Sequence, residues 1–337
     1  MNKLKDNILA LCDAEEEYAQ LMSEFLKGQK NLPWLIRTYT DVESLLEERE
    51  EINMLVVAES VYTEELKRLK PERLVLLNES GILREGQLHN INKYQQAEQV
   101  LRELLEIYVE IAAQPLPGLP KSCRTKFIGI YSPVRRCMQT SFALTMGELL
   151  ARNHAVLYLN FEHYAGDTEL LQLEPARDLA DMLYFMTANQ DKFALHLQIA
   201  LRHRGNMDFI PPMKSGQNLL SITGAEWQSF MRKLEELGEY EYVIMDLSES
   251  MQGLFDILRQ CCRVFTITKN DKIARSKLLQ YEQLLTVYAY TDVLEKTCRC
   301  SLPRIEKLPE TLEQYQRGEL AEYVGRILAE LLEEKQV

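Results

Sequence analysis

Short apolar runs alternate with amphipathic stretches along the first third of the chain. The apolar runs predict strands at residues 7–12, 34–39, 53–58, 73–77 and 89–92. The amphipathic stretches predict helices at residues 15–28, 42–49, 63–69 and 95–113. Strands separated by helices favour a parallel sheet with helices on both faces. The pattern therefore predicts an α/β domain over residues 1–113.

The same alternation returns on a larger scale further along the chain. Strands are predicted at residues 125–131, 155–160, 242–246 and 263–268, and helices at 140–152, 227–237 and 272–285. Acidic, helical segments fill the stretch up to about residue 203, and a long acidic amphipathic helix is predicted at 312–334. This pattern predicts a second α/β domain over residues 123–337.

A proline-rich segment separates the two predicted domains. Residues 114–120 read QPLPGLP, and three prolines with one glycine cannot continue a helix or a central strand. We predict a semi-rigid interdomain linker at residues 114–122. A chain of 337 residues is long enough for two separate cores.

Charge and composition narrow the classes of function. The net charge of −12 argues against a nucleic-acid partner, because phosphate contacts need clustered Lys and Arg. The sequence has no apolar run of membrane-spanning length, and its first residues lack the apolar core of a signal peptide. We therefore expect a cytoplasmic protein without direct membrane insertion.

The seven cysteines do not form the pattern of a disulfide framework. Cys298 and Cys300 form a CxC pair, but no second pair stands at zinc-ribbon spacing. We expect structural thiols rather than metal ligands.

The first domain resembles a response-regulator receiver, which has a flavodoxin-like fold. In that family, acids after the first strand bind Mg²⁺ and an Asp at the end of the third strand accepts a phosphoryl group. Asp13 follows the first strand here, but Ala58 or Glu59 stands where the acceptor belongs. Lys93 resembles the lysine that follows the fifth strand, with a surface residue as the alternative. Asn78 or Ser80 lies near the usual hydroxyl position.

The strand at residues 125–131 ends where a nucleotide-binding protein places its phosphate loop. The stretch that follows resembles the deviant phosphate loop of the MinD/ParA family, which begins Ser-Pro-Lys-Gly-Gly and ends Gly-Lys-Thr. Ser132 and Thr140, the usual Mg²⁺ ligand, match that pattern. The departures are Val134 and Gln139 at the lysines, and Arg135, Arg136 and Met138 at the glycines.

These departures oppose ATP binding. Side chains at glycine positions block the approach of the backbone to phosphate, and both lysines that carry the compensating charge are gone. We expect a degenerate loop and no cofactor, so the chain would be a pseudo-ATPase. Two alternatives stay open: the arginines hold some other anion at the helix N-terminus, or ATP and Mg²⁺ still bind.

Other landmarks of the MinD/ParA family follow. The stretch VLYLNFE at residues 156–162 resembles the strand that carries the switch-region acid, with Glu162 or Asp167 as the candidate. Asp246, at the end of the strand 242–246, stands where the family holds Mg²⁺ through water. We expect no bound metal. Thr140 and Asp246 are the weak candidates, and the other interpretation of Asp246 is a helix cap or a solvated carboxylate.

A narrower resemblance rests on the order of several loose motifs. FIPP at residues 209–212, ITGAEW at 222–227, and TKND at 268–271 followed by Ser276 and Lys277 resemble the TadZ/CpaE group. These proteins are bacterial localisation factors of tight-adherence (Flp/Tad) pilus assembly, and they also carry a receiver-like domain in front. The resemblance implies a role in pilus assembly.

Three classes of function compete: a non-catalytic assembly or positioning protein, an active ATPase, and a phosphorelay regulator. The missing lysines, acceptor Asp and DNA-reading element favour the first. Its expected partners are pilus-assembly or other cytoplasmic proteins, with a homodimer as an alternative. The tail helix is expected to pack on protein through an apolar face of Leu320, Val324, Ile327, Leu328 and Leu331.

Overall fold

A computed structural model describes residues 7–29, 32–81, 88–111, 124–171, 177–188, 192–305 and 307–333. The chain divides into two compact units. The first consists of Met1–Pro117 with Ala194–Ile199, and the second of Gly118–Phe193 with Ala200–Val337. The whole predicted linker, residues 114–122, lies outside the described residues.

Where the structure describes it, the first unit has five strands and three α-helices, and residues 194–199 of a later helix belong to it as well. The strands are β1 (Ile8–Cys12), β2 (Leu35–Tyr39), β3 (Met54–Ala58), β4 (Arg73–Asn78) and β5 (His89–Asn92). The helices are α1 (Glu16–Gly28), α2 (Val42–Leu46) and α3 (Ala97–Ile111), and Glu64–Leu69 forms a 3₁₀ helix.

The first sheet is parallel throughout, in the order β2-β1-β3-β4-β5. This order is the one that flavodoxin-like sheets have. The inner strands β1 and β3 are apolar and buried along their whole length because helices cover both faces of the sheet: Leu9 and Leu11 pack in one core cluster, and Ile8 and Ala10 in the other. The parallel α/β prediction is therefore confirmed.

Seven strands form the sheet of the second unit over the part of the chain that the structure describes. These are β6 (Lys126–Tyr131), β7 (Val156–Asn160), β8 (Arg202–Arg204), β9 (Met207–Phe209), β10 (Tyr242–Asp246), β11 (Arg263–Thr268) and β12 (Thr297–Ser301). The helices are α4 (Gln139–Leu150), α5 (Asp167–Leu170), α6 (Leu179–Ala188), α7 (Phe193–Ala200), α8 (Gly216–Ser221), α9 (Gly224–Leu237), α10 (Leu254–Gln260), α11 (Lys272–Val287), α12 (Thr291–Glu295) and α13 (Glu319–Glu333). All belong to the second unit except most of α7, which belongs to the first.

The second sheet has the order β12-β11-β6-β10-β7-β9-β8, and every pair is parallel except β8 with β9. Ile128 and Ile130 of β6 pack in the same core cluster as residues of α4 and α13. Gly129 lies against Leu258 and Cys261 at the end of α10. Successive side chains of a strand point to opposite faces, so helices cover both faces of this sheet as well.

Several elements differ from the prediction. The short strands β8, β9 and β12 and the helix α10 were not predicted, because three to seven residues are too few to show a period. The tail is not one helix from residue 312: a 3₁₀ helix, Leu312–Gln316, precedes α13. Gly318 separates the two with a backbone φ of 86°, which the α-helix does not allow.

The apolar face predicted for the tail helix packs on protein. Leu320, Val324 and Leu328 are buried in the core of the second unit, and Ile327 packs against the same cluster. The side chain of Leu331 lies outside those that the structure describes. None of the helices in the described part of the chain combines the length and apolar character that crossing a bilayer needs.

Candidate functional site

The candidate site of the second unit lies where two neighbouring parallel strands end. The carboxyl ends of parallel strands meet at one edge of the sheet, so the loop after β6 and the residues after β10 come together. The loop, residues 132–138, leads into α4, and Asp246 is the last residue of β10. The predicted residues Ser132, Gln139, Thr140 and Asp246 thus converge.

The loop has left-handed backbone conformations at three positions that carry side chains. The φ angles of Arg135, Arg136 and Met138 are 62°, 47° and 65°. Glycine adopts such angles without a steric penalty, whereas other residues rarely do. These are the three positions at which the sequence pattern of the MinD/ParA loop has glycine, so the loop keeps a glycine-type backbone with large side chains on it.

Gln139 lies at the centre of the site, and the protein itself satisfies its amide group. The Nε2 atom donates to Oδ1 of Asp246 at 2.6 Å and to the carbonyl oxygen of Leu247 at 2.8 Å, and lies 3.3 Å from that of Ile130. Gln139, which stands at the position of the loop lysine, therefore points toward the carboxyl ends of the strands. Its Nε2 donors are used in hydrogen bonds within the protein.

Asp246 is buried and held by three side chains. Besides Gln139, the hydroxyl of Tyr158 donates to Oδ2 at 3.2 Å, and Thr140 also hydrogen-bonds the carboxyl group. Burial raises the pKa of Asp246, while the hydrogen bonds from Thr140, Gln139 and Tyr158 act in the opposite direction. Thr140 and Asp246, the two weak candidates for metal ligands, are therefore hydrogen-bonded to each other.

Ser132 and the two arginines have different surroundings. Ser132 is buried, and its hydroxyl donates to the carbonyl oxygen of Ile267 at 2.5 Å while accepting from the backbone N–H of Val134. Arg135 is exposed and forms an ion pair with Glu249, which follows β10. Arg136 is exposed as well. The loop thus presents one paired arginine and one on the open surface.

Glu162 lies near this site and has a raised pKa. Burial first, and then the negative charge of Asp246, raise its pKa from 4.5 to about 7, although the positive charge of Arg135 acts in the opposite direction. The other switch-acid candidate, Asp167, begins α5, but its side chain lies outside those that the structure describes. Among the described residues, no group of three or more His, Cys, Asp or Glu side chains is arranged to hold a metal ion.

The first unit has its own cluster of charged groups at the carboxyl ends of its strands. The side chain of Lys93 is fully buried, and its Nζ atom lies 2.8 Å from Asp13, 2.8 Å from Glu79 and 3.2 Å from Glu15. Burial lowers the pKa of Lys93, but the hydrogen bonds to these carboxylates outweigh it and raise the pKa. Lys93 is therefore not a surface residue.

Glu59 does not join this cluster. Ala58 is the last residue of β3, and the Glu59 carboxylate that follows accepts from the backbone N–H groups of Glu79 and Ser80, each at 3.0 Å. The hydroxyl of Ser80 donates to the other oxygen at 3.1 Å. Glu59 thus holds the loop after β4, and the structure brings together Asp13 and Lys93 but gives Glu59 a different role.

Sequence reasoning missed two residues of these sites, Glu79 and Tyr158. Glu79 directly follows β4, and its place beside Asp13 follows from the parallel order of the strands. Tyr158 carries a hydroxyl inside a buried strand, β7, that pairs with β10. A buried hydroxyl requires a polar partner, which was the available signal for Tyr158.

Comparisons with known proteins give similarities to solved structures. No protein-family model matches the chain, and no curated protein matches it. A ParA family ATPase from Chlorobium tepidum is similar with 15% identity and a TM-score of 0.48, over 60% of this chain and 98% of its own. A plasmid partition protein from Borrelia burgdorferi, bound to AMPPNP, has 14% identity and a TM-score of 0.48, over 63% and 99%.

The MinC:MinD cell division complex of Aquifex aeolicus is also similar, with 13% identity and a TM-score of 0.45, over 60% of this chain and 96% of that one. The solved structures named here are thus of ParA and MinD proteins. At such identities the likeness assigns no activity. The α/β assignment rests on the strand order and register of the two sheets.

Proposed function

We propose that this chain is a non-catalytic assembly or positioning protein that acts through protein–protein contacts, as the TadZ/CpaE proteins of pilus assembly do. Both α/β units serve as binding surfaces. The second unit has the fold of a nucleotide-binding protein with a degenerate phosphate loop. The partners are cytoplasmic proteins, with those of a tight-adherence pilus as the first candidates.

One observation carries this proposal: the amide of Gln139 replaces the loop lysine and bonds to Asp246 and Leu247. An amide has no positive charge to stabilise a transferred phosphoryl group, and its donors are already engaged. Arg135, Arg136 and Met138 place side chains where phosphate would meet bare backbone. The residues present do not fit an ATP phosphate tail.

A phosphate-release assay on the purified protein with ATP and Mg²⁺ tests the loss of turnover. We expect no rate above that of buffer. The matched variant is Asp246→Ala, which removes the carboxylate at the centre of the site. Turnover that the Asp246→Ala variant loses would belong to this site, and the proposal would then be wrong.

The alternative function is an ATP-binding protein of the MinD/ParA type with an unusual nucleotide site. The observation that favours it is the left-handed backbone at Arg135, Arg136 and Met138, which keeps the conformation of a glycine-rich loop. Titration calorimetry with ATP, with and without Mg²⁺, separates the two. Binding that requires Mg²⁺ and disappears in Asp246→Ala would support the alternative.

For the first unit we propose partner binding without phosphorylation. Glu59 is longer than Asp by one methylene, and its carboxylate is occupied by the N–H groups of Glu79 and Ser80. Lys93 already forms ion pairs with Asp13, Glu15 and Glu79. Incubation with acetyl phosphate and Mg²⁺ should leave the intact mass unchanged. A single phosphoryl adduct that maps to Glu59 would favour the phosphorelay class instead.

The pilus role is tested in the bacterium that produces the chain. Deletion of its gene should abolish tight-adherence pili, and a copy with Gln139→Ala should restore them, because the proposed role does not use nucleotide. Normal pili in the deletion strain would exclude the pilus role while leaving the other assembly roles open to test by affinity purification.

A further inference from the structure

An open cleft of about 850 Å³ lies between the start of α10 and the second half of α11, within the second unit. Aromatic rings form most of its wall, and Leu254 and Leu284 are its leucines. Leu284 is exposed although it is apolar, and exposed apolar patches of this kind mark sites of interaction. The aromatic residues of the cleft are Tyr131, Phe255, Tyr281, Tyr288 and Tyr290.

These rings follow one another as a track. The ring centroid of Tyr281 lies 5.3 Å from that of Tyr131 and 6.1 Å from that of Phe255. The Phe255 ring lies 5.4 Å from the Tyr290 ring and 6.4 Å from the Tyr288 ring. Neighbouring rings are tilted by 45° to 66°, so ridges and recesses alternate along the track. Such a track fits an extended segment that places a side chain in each recess.

Two hydrogen-bond donors stand along the track on α11. The side chains of Lys277 and Gln280 line the cleft. The Nζ atom of Lys277 makes a long contact of 3.5 Å with the carbonyl oxygen of Val134, and an ammonium group can donate three hydrogen bonds. A polyproline II segment needs such donors, because its carbonyl oxygens have no internal partner and its prolines carry no N–H.

Acidic groups stand on the opposite side of the cleft. Asp256 of α10 accepts from the hydroxyl of Tyr290 at 2.7 Å, and its carboxylate can accept further hydrogen bonds. Glu249 also lines the cleft and is paired with Arg135. The net charge of the chain is −12. Charge complementarity therefore favours a ligand that brings a basic side chain to Asp256.

We propose that this cleft binds a proline-rich segment of a partner protein, in the polyproline II conformation and with a basic residue beside its prolines. The prolines pack between the rings, Lys277 and Gln280 donate to the backbone carbonyl oxygens, and the basic side chain contacts Asp256. Prolines three positions apart lie on one face of a polyproline II helix, about 9 Å from each other, and so reach separate recesses. This inference rests on the proposed function, since it states the chemistry of one partner.

An amphipathic helix is the other common occupant of an apolar groove. Such a helix anchors large apolar side chains in a hydrophobic groove, whereas four of the five rings of this cleft carry a hydroxyl. Grooves lined by aromatic residues are the usual binding sites of proline-rich segments, which lose little entropy because their conformation is preformed. The composition of the cleft therefore favours the proline-rich segment.

Fluorescence anisotropy on the full chain with two labelled peptides tests the proposal. The first peptide is APPLPPRA, and the second, AGGLGGRA, has the same charge but glycines in place of the prolines. We expect the proline peptide to bind about tenfold more tightly, because the glycine peptide has no rings to pack and loses more entropy. Absence of binding by the proline peptide, or equal binding of the two peptides, would contradict the proposal.

Two variants of α11 and the residue after it locate the binding site. Tyr288→Ala should weaken binding of the proline peptide about tenfold, because an aromatic contact is lost. Tyr288 is 60% exposed, so this variant keeps the fold. The matched control is Leu279→Ala, which changes an exposed apolar residue outside the cleft and should leave binding unchanged. Equal binding by both variants would place the peptide elsewhere and contradict the proposal.

A further pair of measurements tests the contact with Asp256. Asp256→Asn should weaken binding of APPLPPRA and leave binding of APPLPPQA unchanged, because only the first peptide carries a positive charge for the carboxylate. Equal weakening of the two peptides would show that the basic residue does not contact Asp256.

The last measurement separates a partner protein from a second copy of this chain. Residues 114–121 read QPLPGLPK and form a proline-rich segment of their own. A peptide of this sequence should bind more weakly than APPLPPRA, and tighter binding would assign the cleft to another copy and overturn the partner assignment. Failure of the peptides to bind contradicts this inference alone. ATP turnover that Asp246→Ala abolishes would contradict the proposed function and leave the peptide measurements unaffected.

Discussion

At the scale of single residues, Arg136 holds a left-handed backbone with φ of 47°. A residue with a Cβ atom is destabilised by about 1–2 kcal/mol in the left-handed conformation. Glycine has no such steric penalty, but it loses more conformational entropy on folding. We expect Arg136→Gly to raise the free energy of unfolding by about 1 kcal/mol in urea denaturation.

The control for that substitution is Gln283→Gly, at an exposed position inside α11. There glycine should lower the free energy of unfolding by about 0.5–1 kcal/mol. If Arg136→Gly has the same sign as Gln283→Gly, the loop backbone is not strained.

Glu162 makes stability depend on pH. Its pKa in the folded protein is raised from 4.5 to about 7, so the folded state binds more protons than the unfolded state in this window. The free energy of unfolding contributed by Glu162 therefore falls as pH rises from 4.5 to 7. Glu162→Gln removes this dependence, and the variant should be the more stable protein at pH 8, by about 1 kcal/mol after solvent screening.

Urea denaturation of the parent chain and of Glu162→Gln at pH 5 and pH 8 checks this prediction. The measured quantity is the difference between their free energies of unfolding at each pH, in which the contributions of the other titrating groups cancel. The gap between Glu162→Gln and the parent chain should be larger at pH 8. A gap that does not change with pH would show that Glu162 has an ordinary pKa in the folded protein.

Substitution of Lys93 should strongly destabilise the first unit. Lys93→Met leaves the buried Asp13 carboxylate without its ammonium partner, which costs about 3–5 kcal/mol. The control is Lys67→Met, whose exposed ion pair with Glu64 should contribute nothing measurable. Equal midpoints of thermal unfolding for the two variants would show that the buried ion pairs of Lys93 do not stabilise the first unit.

At the scale of elements, α13 closes the core of the second unit. Leu320→Ala removes a side chain that is 2% exposed and should lower the free energy of unfolding by about 2–5 kcal/mol. Glu322→Ala, on the exposed face two residues further on, should have little effect. Truncation after Tyr315 should lower the midpoint of thermal unfolding by several degrees.

A membrane role for α13 predicts a different outcome. Helices that bind lipid surfaces carry Lys and Arg, whereas this one begins with Glu319 and Glu322 in its first turn. We expect no sedimentation of the full chain with anionic liposomes. Sedimentation that the truncation abolishes would show that the apolar face meets lipid.

Elements with a clear period were predictable, and the others were not. β10 and β11 have the predicted bounds, because both are short buried runs of mainly apolar residues. The edge strand β12 is Thr-Cys-Arg-Cys-Ser, with no continuous apolar run, and it exists because β11 offers it a parallel partner. Pairing of this kind depends on a neighbour that is remote in the chain.

At the scale of the whole molecule, the net charge of −12 sets the long-range field. A field of this sign repels polyphosphates, and no basic stripe opposes it in the sequence. We expect no shift of duplex DNA in a gel assay at low salt, where electrostatic binding is strongest. A shift of the DNA band that increases as the salt concentration is lowered would show that the protein has a basic surface despite its negative net charge.

The sequence alone determined the α/β class, the parallel sheets and the identity of the loop residues, because periodicity and residue type are local properties. It located Asp13, Lys93 and Asp246 at strand ends, and Gln139 where the loop after a strand leads into a helix. Only the tertiary structure decided what those side chains do: Gln139 turns to Asp246, and Lys93 is buried among carboxylates instead of lying on the surface. Hydrogen bonds between residues about 80 to 110 positions apart follow from the order of strands in a sheet, which no local pattern encodes.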